Sequence, residues 1–109
     1  MKIQLIQIAH ARSGDKGNSA NIGIIAKEKK YFSILEKYVT AEKVKELFSD
    51  RCFGKVTRYE LPNLNALNFI LENSLGGGGT RSLRNDSQGK TFSAVLLKME
   101  IEIKERMEL

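Results

Sequence analysis

The chain has 109 residues, of which 41% are hydrophobic and 28% are charged. This composition indicates one globular domain with a hydrophobic core, and it excludes a disordered chain, which has fewer apolar residues for its charge. Cys52 is the single cysteine, so an intrachain disulfide is excluded, and no apolar run approaches the roughly 20 residues that cross a bilayer. We therefore expect one cytoplasmic domain over residues 1–109, without membrane contact.

The first half of the chain predicts two strands followed by two helices. Residues 3–9 form the first predicted strand, residues 11–19 a polar loop, and residues 20–26 the second strand. Apolar side chains at positions i, i+3, i+4 and i+7 predict a helix over residues 28–38. Thr40 is then a candidate N-cap for a second, short helix.

The middle of the chain predicts a strand and a third helix. Residues 55–61 form the strand, which Pro62 ends because proline lacks a backbone donor for the sheet. Leucines at helical spacing predict a helix over residues 63–73, with Asn68 as a buried hydrogen-bonding residue on its apolar stripe. The glycine run at 76–79 cannot remain helical, since each glycine costs about 1 kcal/mol there relative to alanine.

The last third predicts a hairpin with a turn at 85–89 and a long strand from Lys90. The first half of this strand is apolar on both faces, so either a second subunit covers it or a loop of the chain itself does. The predicted order is β-β-α-α-β-α-β-β. The fold class that satisfies it is α+β: a two-layer, ferredoxin-like sandwich with helices on one face of a mainly antiparallel sheet.

Two nucleotide-binding motifs fail on spacing and context. Gly89, Lys90 and Thr91 resemble the end of a P-loop, but Arg84 stands where the motif needs its first glycine, and a strand follows where a helix should. The glycine run at 76–79 has an arginine at the third motif position and follows a helix rather than a strand. We therefore expect no nucleotide cofactor.

Catalytic and metal sites have little support. With one histidine and one cysteine far apart, no metal-ligand spacing exists, and we expect no bound metal. A nucleophilic pair of His10 and Cys52 is disfavoured because a lone cysteine usually fills core space. Ser13, His10 and Asp15 include the residue types of a triad, but triads are recognised by spatial geometry and not by closeness in sequence. The sequence therefore assigns no catalytic residue, and the catalytic set is left as unknown.

Two polar glycine-rich segments are the candidate ligand-binding sites. The glycines let a ligand approach backbone N–H groups, and the arginines can grip a carboxylate or phosphate. The alternative is that each segment satisfies itself, for instance through an ion pair of Asp15 with Arg12 or Lys16, and binds nothing. The candidate ligand-binding residues are Arg12, Ser13, Gly14, Asp15, Lys16, Gly17 and Asn18 in the first segment and Gly77, Gly78, Thr80 and Arg81 in the second.

Three ungapped blocks carry a family resemblance: AHARSGDKGNSANIG at 9–23, RYELPNLNALNF at 58–69 and LGGGGTRSLRNDSQGK at 75–90. They resemble the small ferredoxin-fold domain of the acyclic terpene utilisation (AtuA-like) family. Lys27 departs from the arginine expected there, and the charged tail after Ile103 lies outside the pattern. In that family the domain commonly follows a much larger domain, or occurs as a separate small protein.

The resemblance implies an accessory or ligand-binding subunit that acts with a larger AtuA-like protein in catabolism of a carboxylic acid or acyl thioester of the acyclic-terpene type. An alternative is a stand-alone anion-binding homo-oligomer. An enzyme using Lys16, Asp15 or His10 for proton transfer ranks lower, because the chain has one histidine and no paired carboxylates. Nucleic-acid binding ranks last, because the net charge of +5 is spread along the chain without an aromatic platform.

Overall fold

Six strands and three α-helices make up the part of the chain that the computed structural model describes, which is residues 1–74 and 92–109, with Lys16 described by its backbone alone. In chain order they are β1 (Lys2–Gln4), β2 (Ala9–Lys16), β3 (Ser19–Ala26), α1 (Phe32–Tyr38), α2 (Ala41–Leu47), β4 (Val56–Leu61), β5 (Ala66–Leu71), α3 (residues 92–97) and β6 (Glu100–Glu102). None of these helices is long and apolar enough to cross a membrane.

The strands form two sheets in which every described pair is antiparallel. The larger sheet has the order β2-β3-β5-β4, and β1 pairs with β6 in a separate two-stranded sheet. The helices contact one face of the larger sheet, α1 against β3 and β5 and α2 against β4. The predicted fold class, a two-layer ferredoxin-like α+β sandwich, is therefore confirmed.

The core lies between this sheet and the helices. Side chains alternate along a strand, so one face of β3 and β5 presents Ile22, Leu67 and Phe69, all fully buried. At the helical side Phe48 and Phe92 stack with ring centroids 4.9 Å apart. This aromatic pair joins the end of α2 to the beginning of the described part of α3.

The predicted first strand, residues 3–9, is wrong in its extent. The strand stops after Gln4, a 3-10 helix occupies Leu5–Gln7, and β2 begins at Ala9. The reason is that β1 and β2 belong to different sheets. The chain must turn between them, and it does so where the Leu5 N–H donates to the Met99 carbonyl.

The predicted polar loop at residues 11–19 is also wrong. These residues are the second half of β2 and the turn that follows it, with Lys16 paired to Ser19 across a two-residue turn. Hydrogen bonds to β3 along the whole length hold this glycine-containing stretch extended, which overrides its low strand propensity. Gly17 has φ of 62°, as the first central position of a type II′ turn requires.

The predicted third helix, residues 63–73, is instead a 3-10 turn at Pro62–Leu64 followed by β5. The leucines fit a helical stripe, but alternate residues of β5 are equally apolar. Backbone pairing with β3 on one side and β4 on the other decides for the strand. Asn65 makes the reversal between β4 and β5 with a left-handed φ of 52°.

The predicted long strand from Lys90 is wrong over residues 92–97, which are helical, and correct for its end at β6. Phe92 and Leu96, four residues apart on α3, are both fully buried inside the chain. The two-faced apolar pattern is thus explained by a helix, and it no longer argues for a covering subunit. The hairpin predicted at residues 80–89 and the glycine run at 76–79 lie outside the described residues.

Other predictions hold. The second strand and the strand near residue 56 occur as β3 and β4. Thr40 caps α2, its side-chain oxygen accepting from the Lys43 N–H. The helix predicted over residues 28–38 occurs as a 3-10 turn at Lys29–Tyr31 that leads into α1.

The charged tail after Ile103 folds back onto α1. The Tyr38 hydroxyl donates to one Glu105 oxygen at 2.8 Å, and the Lys37 ammonium donates to the other at 3.1 Å. The Tyr38 hydroxyl in turn accepts from the Lys104 N–H. The Tyr38 hydroxyl, a backbone N–H and Lys37 together lower the pKa of Glu105 from 4.5 to about 2.

We expect the stabilising contribution of Glu105 to be complete above pH 4.5 and to vanish as the pH falls to about 2. Because its pKa is lower in the folded chain than in the unfolded chain, the unfolded chain binds the proton first, and acid favours unfolding. Melting temperatures of the wild type and Glu105→Gln over this range test the prediction. The difference in melting temperature between the two proteins should disappear on acidification. A difference that is independent of pH would contradict the stabilising role assigned to the Glu105 carboxylate.

Candidate functional site

The described helices pack on one face of the four-stranded sheet, and we call the other face, which none of them contacts, the open face. Strand pairing aligns its outward side chains in rows that run from β2 to β4. The hairpin row, nearest the β2–β3 turn, is Gly14, Asn21, Ile70 and Thr57; the middle row is Arg12, Gly23, Asn68 and Tyr59; and the far row is His10, Ile25, Ala66 and Leu61.

A shallow depression of about 400 Å³ lies on the open face over the first two strands. It exists because Gly14 and Gly23 carry no side chain. A Cβ at Gly14 would meet nothing within 4 Å, and one at Gly23 would come no nearer than 3.8 Å to the Asn68 side-chain oxygen. Arg12, Asn21 and Asp15 are among the residues that line it, together with Ser13, Gly14, Gly23 and Ile25. The depression therefore joins strand backbone to the Arg12 guanidinium and the Asn21 amide, with the Asn68 amide beside it.

Arg12 makes no ion pair and no side-chain hydrogen bond within the described residues. Asn21 and Asn68 likewise have no side-chain partner there. Asp15, the carboxylate expected to neutralise Arg12, is three positions along the same strand and so projects toward the opposite face. In the described part of the chain, no ion pair joins Asp15 to Arg12.

Ser13 supports the structure from the other side of β2. Its hydroxyl accepts from the Ser93 N–H at 2.9 Å, which ties the strand to α3. Ser13 therefore positions α3 against the sheet.

The turn of the hairpin is held by the residues after β5. Asn18 donates through its side-chain amide to the Asn73 side chain at 2.8 Å, and its carbonyl accepts from the Ser74 N–H. The buried Ser74 hydroxyl accepts from the Ala20 N–H and donates to the Leu71 carbonyl at 2.6 Å. Gly17 supplies the turn geometry, and the backbone of Lys16 completes the ladder.

Both flanks of residues 75–91 are hydrogen-bonded to the first hairpin, through Ser74 on one side and Ser93 on the other. The second predicted set of ligand-binding residues, Gly77, Gly78, Thr80 and Arg81, lies outside the described residues. Ser74, which precedes the second segment in the sequence, therefore lies beside the first hairpin. Whether they share one site remains a prediction.

The alternative catalytic groupings do not assemble. His10 projects from the open face in the far row, whereas the Cys52 thiol is buried near the opposite end of the sheet, 3.4 Å from the Glu72 carbonyl. Ser13 and Asp15 project toward the core side, away from His10. Across residues 1–74 and 92–109, no group of three histidine, cysteine or acidic side chains could hold a metal ion.

The sequence analysis missed two residues of the depression, Asn21 and Gly23, and it misplaced their neighbour Asn68. Asn68 was assigned to a helix, although a polar residue among the apolar residues of β5 is a signal that one face of that strand is not buried. Gly23 had a signal too, because a glycine inside an apolar strand indicates close backbone approach.

Helices on one face of an antiparallel sheet define the class of this chain as a ferredoxin-like α+β domain. Within that class, the profile of the AtuA ferredoxin-like domain matches residues 3–102, and the chain belongs to that family. The suspected resemblance is therefore confirmed, and it associates the chain with the acyclic terpene utilisation family. No curated protein and no solved structure matches the chain.

Proposed function

We propose that this chain is an accessory, ligand-binding subunit that acts with a larger AtuA-like protein in catabolism of a carboxylic acid or acyl thioester, and that Arg12 holds an anionic group. One observation carries the proposal: Arg12 stands beside a depression of the open face without a counter-ion among the described residues. Membership of the AtuA ferredoxin-like family supplies the metabolic context.

The chemistry of the open face suits an anion. Guanidinium donors match the two oxygens of a carboxylate or the oxygens of a phosphate, and Asn21 and Asn68 add neutral amide donors. Asp15 also lines the depression, but strand alternation directs its carboxylate toward the opposite face, and the described open-face rows contain no carboxylate that would repel such a group. The absence of side chains at Gly14 and Gly23 lets the anion approach the strand backbone.

Arg12→Ala is expected to weaken anion binding by about tenfold or more, because a hydrogen bond to a charged group contributes about 1.5–3 kcal/mol. The probes are succinate, inorganic phosphate and acetyl-coenzyme A, titrated while backbone amide resonances are followed by nuclear magnetic resonance. The depression predicts that shifts concentrate on β2 and β3. Arg106→Ala is the matched control, since it removes the same charge from an exposed position in the tail.

Equal weakening by both substitutions would mean that only net charge matters, and it would overturn the assignment to Arg12. Silence of the wild type across all three probes would do the same. Binding that survives Arg12→Ala but is lost in His10→Ala would move the site to the far row of the open face. It would also revive the hypothesis of proton transfer by His10.

The accessory role needs its own test. The chain and the larger AtuA-like protein of the same organism should copurify after co-expression, and omission of the chain should lower turnover of the acid or thioester. Failure to copurify, together with full turnover by the larger protein alone, would exclude an accessory subunit. The second candidate, a stand-alone anion-binding homo-oligomer, would then remain, and the exposed apolar side chains of the open face favour it.

A further inference from the structure

The open face also carries large apolar side chains in water. Tyr59 is 52% exposed, Ile25 44% and Leu61 41%, and all three project from the same side of the sheet. An antiparallel sheet with one wet face normally alternates apolar inward and polar outward residues. Here the outward residues of β4 and the end of β3 break that rule, which indicates a surface that meets another surface.

The middle row of this face is self-complementary under one rotation. In the middle row Gly23 and Asn68 are neighbours at the centre, with Arg12 at one edge and Tyr59 at the other. If a second copy is rotated by 180° about an axis parallel to the strands and packed with its open face on the first, Asn68 of each copy meets the gap at Gly23 of the other. Arg12 of each copy then lies over the Tyr59 ring of the other, a favourable cation–π arrangement.

We infer that the open face is the interface of a homodimer in which two copies pack sheet against sheet about a two-fold axis parallel to the strands. Packed sheets keep their strands within about 30° of each other, so each row lies near the same row of the second copy. That axis sets β2 over β4 and β3 over β5. The opposed pairs are Arg12 with Tyr59, Gly23 with Asn68, Gly14 with Thr57, Asn21 with Ile70, His10 with Leu61, and Ile25 with Ala66.

A two-fold axis perpendicular to the strands is disfavoured by the same residues. It would set each strand over its own copy, so that Arg12 faces Arg12 and Gly23 faces Gly23. The first contact brings like charges together, which suppresses association. The second leaves an unfilled gap at the centre of the interface. The parallel axis avoids both.

The size of the face predicts the strength of the dimer. Four strands about 4.8 Å apart and six residues at about 3.3 Å each give a face of about 400 Å² in projection. Side-chain relief increases the accessible area, but the face stays at the small end of stable interfaces, which bury about 800 Å² per partner. A weak, reversible dimer is therefore expected.

The dimer changes the environment of Arg12 without consuming its donors. A guanidinium stacked on the Tyr59 ring of the second copy keeps its N–H groups in the plane of the stack, directed sideways. The second copy sets its Asn68 and Thr57 over Gly23 and Gly14, so it fills the depression over β2 and β3, and anion binding there competes with dimer formation. The inference nevertheless stands without anion binding, since it rests on the shape and apolar exposure of the face.

Sedimentation velocity between about 1 µM and 1 mM protein, without added anionic ligand, tests the dimer. The wild type should pass from monomer to dimer over this range. Tyr59→Arg should weaken the dimer about 100-fold, because symmetry makes the new charge repulsion occur twice. Phe53→Arg is the matched control. Phe53 is 72% exposed but lies between α2 and β4, away from the open face, and its substitution should leave the dimer unchanged.

A mixture of two variants decides the axis. Arg12→Glu and Tyr59→Arg should each be monomeric alone, yet associate when mixed, since the introduced carboxylate then faces the introduced guanidinium. If Arg12→Glu associates with the wild type in preference to Tyr59→Arg, position 12 faces position 12 of the second copy. That result would indicate the perpendicular axis and overturn the parallel one. Melting temperatures near that of the wild type establish that the variants are folded.

A wild type that stays monomeric up to 1 mM overturns the homodimer, as does a Tyr59→Arg protein that dimerises like the wild type. These outcomes leave the anion titration of Arg12→Ala unaffected, so the two proposals fail separately. If instead the larger AtuA-like protein is bound, and Tyr59→Arg abolishes that complex while the chain alone is monomeric, the open face belongs to the larger protein and the homodimer is wrong.

Discussion

Phe92→Ala is expected to lower the free energy of unfolding by about 3–5 kcal/mol, which makes it the most damaging substitution predicted for this chain. The Phe92 ring is fully buried and stacks on Phe48 at a centroid distance of 4.9 Å. Alanine removes the apolar contacts of the whole ring and leaves a cavity that close-packed neighbours fill only in part. Urea unfolding followed by circular dichroism measures the loss.

The double substitution separates the stacking of the two rings from their burial. Phe48→Ala and Phe92→Ala should each be costly, and their combined cost should fall short of the sum by about 0.5–1.5 kcal/mol, the value of an aromatic pair. Arg51, whose guanidinium lies 5.9 Å and 5.7 Å from the two ring centroids, adds a minor contribution. Full additivity would show that the rings are buried independently. A loss below about 1 kcal/mol for Phe92→Ala would contradict the buried position of α3.

Gly54→Ala is expected to destabilise the fold by about 3 kcal/mol, the upper end of the range for overpacking. A Cβ at this position would stand 2.6 Å from the Glu72 carbonyl oxygen and 2.8 Å from its carbon. These are backbone atoms, so no side chain can swing aside. The Gly54 N–H also donates to that carbonyl, and the Gly54 carbonyl accepts from the Lys45 ammonium. Relief of the clash would disrupt both contacts.

Gly14→Ala is the matched control for Gly54→Ala. A Cβ at Gly14 meets nothing within 4 Å, and the position does not need a positive φ. The stability of Gly14→Ala should equal that of the wild type or exceed it slightly, because alanine restricts the unfolded chain more than glycine does. Equal losses at the two positions in thermal and urea unfolding would show that close approach at Gly54 is not the cause.

Local sequence signals were sufficient to predict an element where the residue pattern is compatible with only one type of secondary structure. Residues 20–26 alternate apolar and polar over a length typical of a strand, and they form β3. Thr40 carries a short hydroxyl side chain directly before a helical apolar stripe, and it caps α2. In these stretches hydrogen bonds between near neighbours and burial of one face favour the same conformation.

The prediction of elements failed where the spacing of apolar residues fitted both the helical and the strand period. Leu67 and Leu71 are four residues apart, which suits a helix, but with Phe69 between them they also alternate as in a strand. Phe92 and Leu96 pose the same ambiguity and resolve the other way, as part of α3. Propensity could not decide, because partners distant in the chain supply the backbone hydrogen bonds that stabilise β5.

The candidate site was likewise predicted only in part from the sequence. Arg12 and Gly14 were found from residue chemistry alone, since a guanidinium next to glycines suits an anion whatever the local conformation. Their environment was not found, because the stretch was assigned to a loop. Only the register of β2, β3 and β5 brings Gly23 and Asn68 to Arg12 and sends Asp15 to the other face.

The sequence by itself determined the α+β class, the family membership, the Thr40 cap of α2, and the residue types able to bind an anion. These depend on composition, motif spacing and interactions between residues close in the chain. Only the tertiary structure decided which segments are strands, which face of the sheet stays open, and that Arg12 has no carboxylate partner in the described part of the chain. The physical reason is that strand register fixes the direction of every side chain, and register depends on pairing between segments far apart in sequence.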